Sequence, residues 1–221
     1  YATDPGWLAP HFEKMLYDNA LILIAISEAY QLSKKPHYRK AIIQTMEFIN
    51  RELSSPEGGF YSALDADSEG EEGKFYVWEK SETDALLGGR AAAFEAYYDI
   101  TAKGNWEGKN IPRIKDPATP LPYDIDRECR EKLLKAREQR VRPRLDDKIL
   151  LGWNALMITA CCKTFAALGL EEYRQIAIRT WSFLEEKFGG TVIFHFYHAY
   201  KDGKATIPCF LEDDAFLIES Y

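Results

Sequence analysis

The stretch Asn154-Ala155-Leu156-Met157-Ile158-Thr159-Ala160-Cys161-Cys162 decides the fold, because its opening repeats Asn19-Ala20-Leu21 at an offset of 135 positions. The same offset, carried forward without gaps, sets Tyr38-Arg39 on Tyr173-Arg174, Ile43 on Ile178, Thr45 on Thr180 and Phe48 on Phe183. Each copy then reaches a double glycine and an aromatic-rich extended segment, GGFYSALD from Gly58 and GGTVIFHFYHAY from Gly189. A period that rebuilds a helix, a turn, a second helix and a strand is a supersecondary repeat.

Within each copy the two helices differ. The first, over 12–32 and 147–168, is apolar nearly all round in its middle (ALILIAI, ALMITACC), which predicts burial on every side. The second is amphipathic, with Tyr38, Ala41, Ile42, Met46, Ile49 and Leu53 on one stripe and Tyr173, Ile176, Ala177, Thr180, Trp181, Leu184 and Phe188 on its counterpart. Buried helices alternating with half-buried ones are what concentric rings produce. A third inner helix starts at LEDDAFLIES, where Asp214-Ala215-Phe216 continues the theme. The expected fold class is therefore mainly α, an incomplete α/α toroid of the six-hairpin type with short antiparallel β-hairpins in its loops. All 221 residues are expected in that one incomplete domain. The chain opens on Tyr1 rather than Met, so the start of the protein is expected upstream.

Between the copies the pattern diverges. KFYVWEK reads as a strand pairing back on GGFYSALD across the acidic turn DADSEGEEG. Helices are expected over 81–100, with Ser81 and Asp84 as a capping box, and over 124–140. NIPRIKDPATPLP joins them as a loop. Asp65, Asp67, Glu69 and Gly70 match the opening of a calcium loop, but its twelfth position is Tyr76 instead of Glu, which rejects an EF-hand. A solvated hairpin tip and a loop over a cavity mouth both fit.

Composition narrows the function classes. A net charge of −7 with no Lys/Arg-rich face argues against a nucleic-acid partner. No apolar run reaches the ~20 residues of a membrane span. Aromatic residues make up 14% of the chain, ample material for a large core or a stacking surface. Cys129, Cys161, Cys162 and Cys209 form no C-x-x-C and no metal pattern, which reads as reduced, buried thiols of a cytoplasmic protein. No GxGxxG, P-loop, HExxH or GxSxG occurs, and neither a cofactor nor a metal is expected.

PHFEKMLYDNA, GGFYSALDADSEGEEGKFYVW, GNWEGKNI, RPRLDDKILLGWNALM and LEDDAFLIE together resemble the family that includes spermatogenesis-associated protein 20 and its bacterial homologues. The resemblance implies an N-terminal thioredoxin-like domain, absent from these residues, followed by a six-hairpin toroid similar to those of N-acylglucosamine 2-epimerase and the six-hairpin glycosidases. It implies a fold and leaves the reaction open.

In a toroid the N-terminal ends of the inner helices open onto the central cavity. The repeat sets His11 on Asp146, Asp18 on Trp153 and then Asp213, and Asn19 on Asn154 and then Asp214. Asn19, Asn154 and Asp214 are accordingly expected at equivalent depths, converging on one axis. Carboxylates, amides and Trp at such places suit a small saccharide. His11, Lys14 and Asp18 are spaced to share one helical face, so His11 and Asp18 are candidates for an acid/base unit, against structural roles for both. Glu13 reads better as an ion-pair partner. Asp146-Asp147 and Asp213-Asp214 precede apolar helices, where N-capping competes with catalysis by Asp147 and Asp213. Trp106 and Glu107 in GNWEGKN fit a sugar-stacking loop or a buried anchor equally. Asn19, Trp153, Asn154, Asp214, Asp65 and Asp67 complete the candidate substrate contacts. Two function classes follow: an epimerase- or glycosidase-like toroid, and a non-catalytic toroid that binds a partner or supports the thioredoxin-like domain. The open edges of an incomplete ring predict self-association.

Overall fold

The computed structural model describes residues 2–189 and 196–221. Along the chain run β1 (Lys14–Met15), α1 (Leu16–Ser33), α2 (Pro36–Glu52), β2 (Ala63–Leu64), β3 (Asp67–Ser68), β4 (Glu71–Glu72) and α3 (Lys80–Leu87). After a 3-10 turn at Gly88–Arg90 come α4 (Ala91–Tyr97), α5 (Tyr123–Arg137), β5 (Leu145–Asp146) and β6 (Ile149–Leu150). The chain ends with α6 (Leu151–Leu168), α7 (Glu171–Phe188), β7 (Tyr197–Lys201), β8 (Lys204–Pro208) and α8 (Leu211–Ser220). The fold is mainly helical with small antiparallel sheets, arranged as two compact units.

The hairpin unit, Lys14–Leu64 with Leu145–Tyr221, holds both copies of the repeat. Each copy enters its first helix straight from a two-residue strand, β1 into α1 and β6 into α6, at the same offset of 135. The helices therefore begin at Leu16 and Leu151, four residues later than the apolar pattern suggested, because the preceding residues are committed to sheets. β1 pairs with β2, and β2 with β5. β6 pairs with β7, and β7 with β8. Helix α6 is wedged between α1, α7 and α8, and every residue from Asn154 to Cys161 is buried. Its composition also matches a membrane span, but here it is the core helix of this unit. Helix α1 has the same apolar character and a different fate. It packs chiefly on α6 and α2, and Leu21 and Ile22 are exposed. The expectation of all-round burial holds for α6 and fails for α1 because a helix is buried by its neighbours, not by its composition.

The amphipathic helices behave as read. Ile42, Met46 and Ile49 of α2 and Tyr173, Ala177, Thr180, Phe183, Leu184 and Phe188 of α7 are buried. The GGF corner packs tightly beneath α7: a Cβ on Gly59 would meet Phe183 Cε1 at 2.6 Å and Ile149 Cγ2 at 3.2 Å. The second glycine pair is described only at Gly189, since 190–195 lie outside the described residues.

The inserted unit, Tyr1–Glu13 with Asp65–Arg144, carries two further small cores. Here three expectations are corrected. KFYVWEK is not a strand: the acidic run closes on itself, Asp67 opposite Glu72, and 73–76 form turns. Phe75, Val77 and Trp78 are all buried, and Arg140 donates to the Phe75 and Val77 carbonyls at 3.0 and 2.8 Å while lying 4.0 Å over the Trp78 ring. A turn whose carbonyls are met by a guanidinium needs no partner strand. The helix expected over 81–100 is broken at Gly88, whose φ of +55° ends α3. The capping box lies two residues earlier than expected, with the Glu79 N–H donating to Glu82 Oε2 at 2.9 Å.

Candidate functional site

The sequence motif at the start of α8 is Phe210-Leu211-Glu212-Asp213-Asp214. Asp213 is only 4% exposed, yet its carboxylate is fully engaged. Oδ1 accepts the Gly152 N–H at 3.0 Å, and Oδ2 accepts the Phe210 N–H at 2.9 Å. Oδ2 also lies 2.7 Å from His198 Nδ1. An ionised carboxylate only accepts, so Nδ1 is the donor across this contact. The His198 side chain is 23% exposed and meets the Phe210 ring edge-on at 4.8 Å. Three elements thus converge on one buried carboxylate: the first turn of α6, strand β7 and the start of α8. A buried charge is tolerated when it is hydrogen-bonded in this way. The product is a histidine oriented by a carboxylate beside exposed aromatic surface, the geometry of a general base.

Cys209 neighbours this group and donates its thiol to Asp214 Oδ1 at 3.4 Å. Burial, helped by that bond, pushes the Cys209 thiol up, so it is no thiolate nucleophile at neutral pH. Cys129 and Cys161 are buried thiols as read, whereas Cys162 is exposed, because successive helical residues point about 100° apart.

The other expected residues fall differently. His11 and Lys14 precede α1, so the spacing of His11, Lys14 and Asp18 describes no helical face. His11 belongs to the inserted unit, Asp18 to the first turn of α1 in the hairpin unit; each is half-buried. Asp147 is half-buried outside any helix, and Lys201 reaches it at 2.5 Å; that bond raises the Lys201 pKa. Asp146 pairs with Lys148 at 3.1 Å. Neither acid caps α6, whose N-cap is Leu150. Of the four expected catalytic residues, Asp213 meets a histidine. That partner is His198, which sequence reasoning missed because nothing in FHFYHAY marks one strand position as facing a carboxylate fifteen residues later.

Asn154 is completely buried, and both its amide donors and its carbonyl oxygen are engaged by backbone groups. It accepts the Phe60 N–H at 2.8 Å and donates to the Phe60 and Leu150 carbonyls at 3.0 and 2.9 Å. Asn19 makes the equivalent bond to the carbonyl four residues back, Met15, at 2.7 Å. Asp214 cannot donate and accepts the Cys209 thiol instead. Asn19 and Asp214 are half-buried, so the three positions match in helical register and not in depth. Trp153 is half-buried with its ring 4.8 Å from Tyr17.

The chain is similar to spermatogenesis-associated protein 20. It is 32% identical to the human protein over 262 residues, which cover 99% of this chain and 33% of that one. An uncharacterised Caenorhabditis elegans protein is 30% identical over 261 residues, covering 100% of this chain and 36% of the other. The chain spans about a third of the length of these curated relatives. No family model matches. Solved structures similar to it include cellobiose 2-epimerase from Spirochaeta thermophila, at 14% identity and a TM-score of 0.31 over 98% of this chain and 72% of that one. A family 76 glycoside hydrolase (mannosidase) from Bacteroides thetaiotaomicron matches at 12% identity and 0.30, over 100% of this chain and 56% of the other.

In the inserted unit, Asp65 and Asp67 are exposed on the acidic hairpin, where Asp65 Oδ1 accepts the Asp67 N–H at 3.3 Å. Trp106 is an anchor more than a platform: its ring sits 5.3 Å from the buried Phe12. Glu107 is exposed in the turn beside it, and Lys109 ties that loop to Glu71 at 2.6 Å. A groove of about 350 Å³ between α4 and the Pro-rich connector, lined by Ala93, Tyr97, Lys115 and Leu121, contains none of the expected site residues. Among the described residues, no group of three or more His, Cys, Asp or Glu side chains is placed to hold a metal.

Proposed function

We propose that this chain supplies the proton-transfer site of a carbohydrate-active α/α toroid, with His198 oriented by Asp213 as general acid/base on a small saccharide. The observation that carries the reading is the buried Asp213 carboxylate, 2.7 Å from His198 Nδ1 and fixed by two backbone N–H groups. Exposed aromatic surface on Phe210, whose ring meets His198 at 4.8 Å, suits the apolar face of a sugar ring. The helix order supports the toroid: α6 packs between α1 and α8, with α2 behind α1 and α7 behind α6, the sequence of inner and outer helices that a ring sector has. On this reading the 221 residues form one incomplete toroid domain.

A saccharide panel in deuterated water, run on the full-length protein, tests the reading. Proton transfer at a sugar carbon exchanges solvent deuterium into the substrate, and a hydrolase releases reducing ends. His198→Asn should reduce the rate by ~10²–10⁴-fold, the usual scale for a lost general acid or base, with little change in melting temperature. A second reading has its own observation: Asp213 ties three elements together, as a purely structural carboxylate would. If the full-length protein turns over no saccharide, the non-catalytic toroid stands; if His198→Asn leaves a measured turnover unchanged, the proton-transfer site at His198 falls.

A further inference from the structure

We infer that Gly152 is a positioning residue for the His198–Asp213 pair, an inference that rests on the proton-transfer reading above. Gly152 lies in the first turn of α6, where alanine is the better helix former. A Cβ there would sit 2.7 Å from Asp213 Oδ1 and 3.3 Å from Asp213 Cα and Phe216 Cδ2. The missing side chain is what lets the Gly152 N–H reach Oδ1 at 3.0 Å.

The repeat supplies an independent argument. Gly152 is the counterpart of Tyr17, and Asp213 is the counterpart of Trp153, by the same alignment that pairs the inner helices. Between α1 and α6 those positions meet as two aromatic rings, Tyr17 and Trp153, 4.8 Å apart. Between α6 and α8 the same contact is a glycine and a carboxylate joined by a hydrogen bond. In place of the ring contact there is space and one N–H, at the junction that holds the His198–Asp213 pair. With Oδ1 pinned by Gly152, the carboxylate cannot swing, and Oδ2 stays aimed at the Phe210 N–H and His198 Nδ1–H. Gly152 therefore acts on His198 through Asp213 and touches no substrate itself.

The test uses the full-length protein labelled with 15N-histidine. In proton–nitrogen spectra the Nδ1–H signal of His198, assigned by its disappearance in His198→Asn, should be present and slow to exchange. Gly152→Ala should abolish it while cooperative melting persists, because the added Cβ displaces Oδ1. A wild-type Nδ1–H signal in folded Gly152→Ala overturns the inference. If Gly152→Ala fails to fold, the double variant Gly152→Ala/Asp213→Ser removes the clashing carboxylate and should recover folded protein without the signal. Failure of that recovery also overturns it. Unchanged turnover in His198→Asn, with the Nδ1–H signal still lost in Gly152→Ala, would sink the catalytic reading and leave the positioning intact.

Discussion

Asn19 and Asn154 show how one residue type at one place in a repeat acquires two importances. Both donate to the carbonyl of the residue that precedes their helix, at 2.7 and 2.9 Å. Asn154 also completes both backbone groups of Phe60 in the core. Asn154→Ala orphans a buried N–H and C=O, at ~1–3 kcal/mol for each unsatisfied group. Urea melts should therefore show a loss of several kcal/mol for Asn154→Ala, against ~1 kcal/mol or less for Asn19→Ala. Equal losses would contradict the separation of the two roles. Asp147 stands at the other extreme. Its bond to Lys201 is an ion pair with side chains 45% and 47% exposed, where solvent screens most of the attraction. Asp147→Asn is expected to leave the melting temperature within a few degrees and any saccharide turnover near wild type, and a large loss of turnover would restore Asp147 to the catalytic set.

At the scale of elements, the contact between α4 and α5 offers a pH test. Tyr98, which caps the C-terminus of α4, donates its hydroxyl to the buried Asp126 of α5 at 2.6 Å. Burial, together with that bond, pushes the Tyr98 hydroxyl well above its ordinary value. The sign follows from linkage: the folded state keeps a proton that the unfolded chain releases near pH 10, so this stabilisation is full below about pH 10 and declines above it. Tyr98→Phe should cost ~1–2 kcal/mol at pH 8. The gap between wild type and variant should narrow by pH 10.5 in denaturant melts. A gap that widens with pH would show the proton assignment to be wrong. The same helices show why 81–100 read as one element. Its apolar period continues across Gly88-Gly89, while the backbone turns away at a positive φ that periodicity does not encode.

For the whole molecule, apolar surface is concentrated on two inner helices of the hairpin unit. Leu21 and Ile22 of α1 are 49% and 52% exposed, and Leu211 and Ile218 of α8 are 86% and 77% exposed. Monomers rarely leave such contiguous faces open. The 221-residue chain is expected to self-associate in sedimentation velocity, and the pair Leu21→Lys and Ile218→Lys should shift it toward monomer. A wild-type chain that sediments as a monomer across micromolar concentrations would remove the case for these faces as contact surfaces. Much of the organisation behind them was legible in advance. The offset of 135 relates β1–α1 to β6–α6 as well as the helices it was read from, because local pattern and tertiary role coincide wherever a repeat packs on its own copy.

The sequence by itself determined the two helical hairpins, the third inner helix at LEDDAFLIES and the amphipathic stripes of α2 and α7. Each of these is written in the spacing of apolar residues, and spacing is a property of the chain alone. It also marked Asp213, through a doubled acid at a helix start. Only the tertiary structure decided that Asp213 faces His198, that Asn154 binds the backbone of Phe60, and that α6 is enclosed while α1 is open. Those outcomes depend on which backbone donors and which neighbouring helices arrive from distant parts of the chain. A glycine at 152 and a carboxylate at 213 acquire their meaning from the 2.7 Å that a side chain would have had to occupy between them.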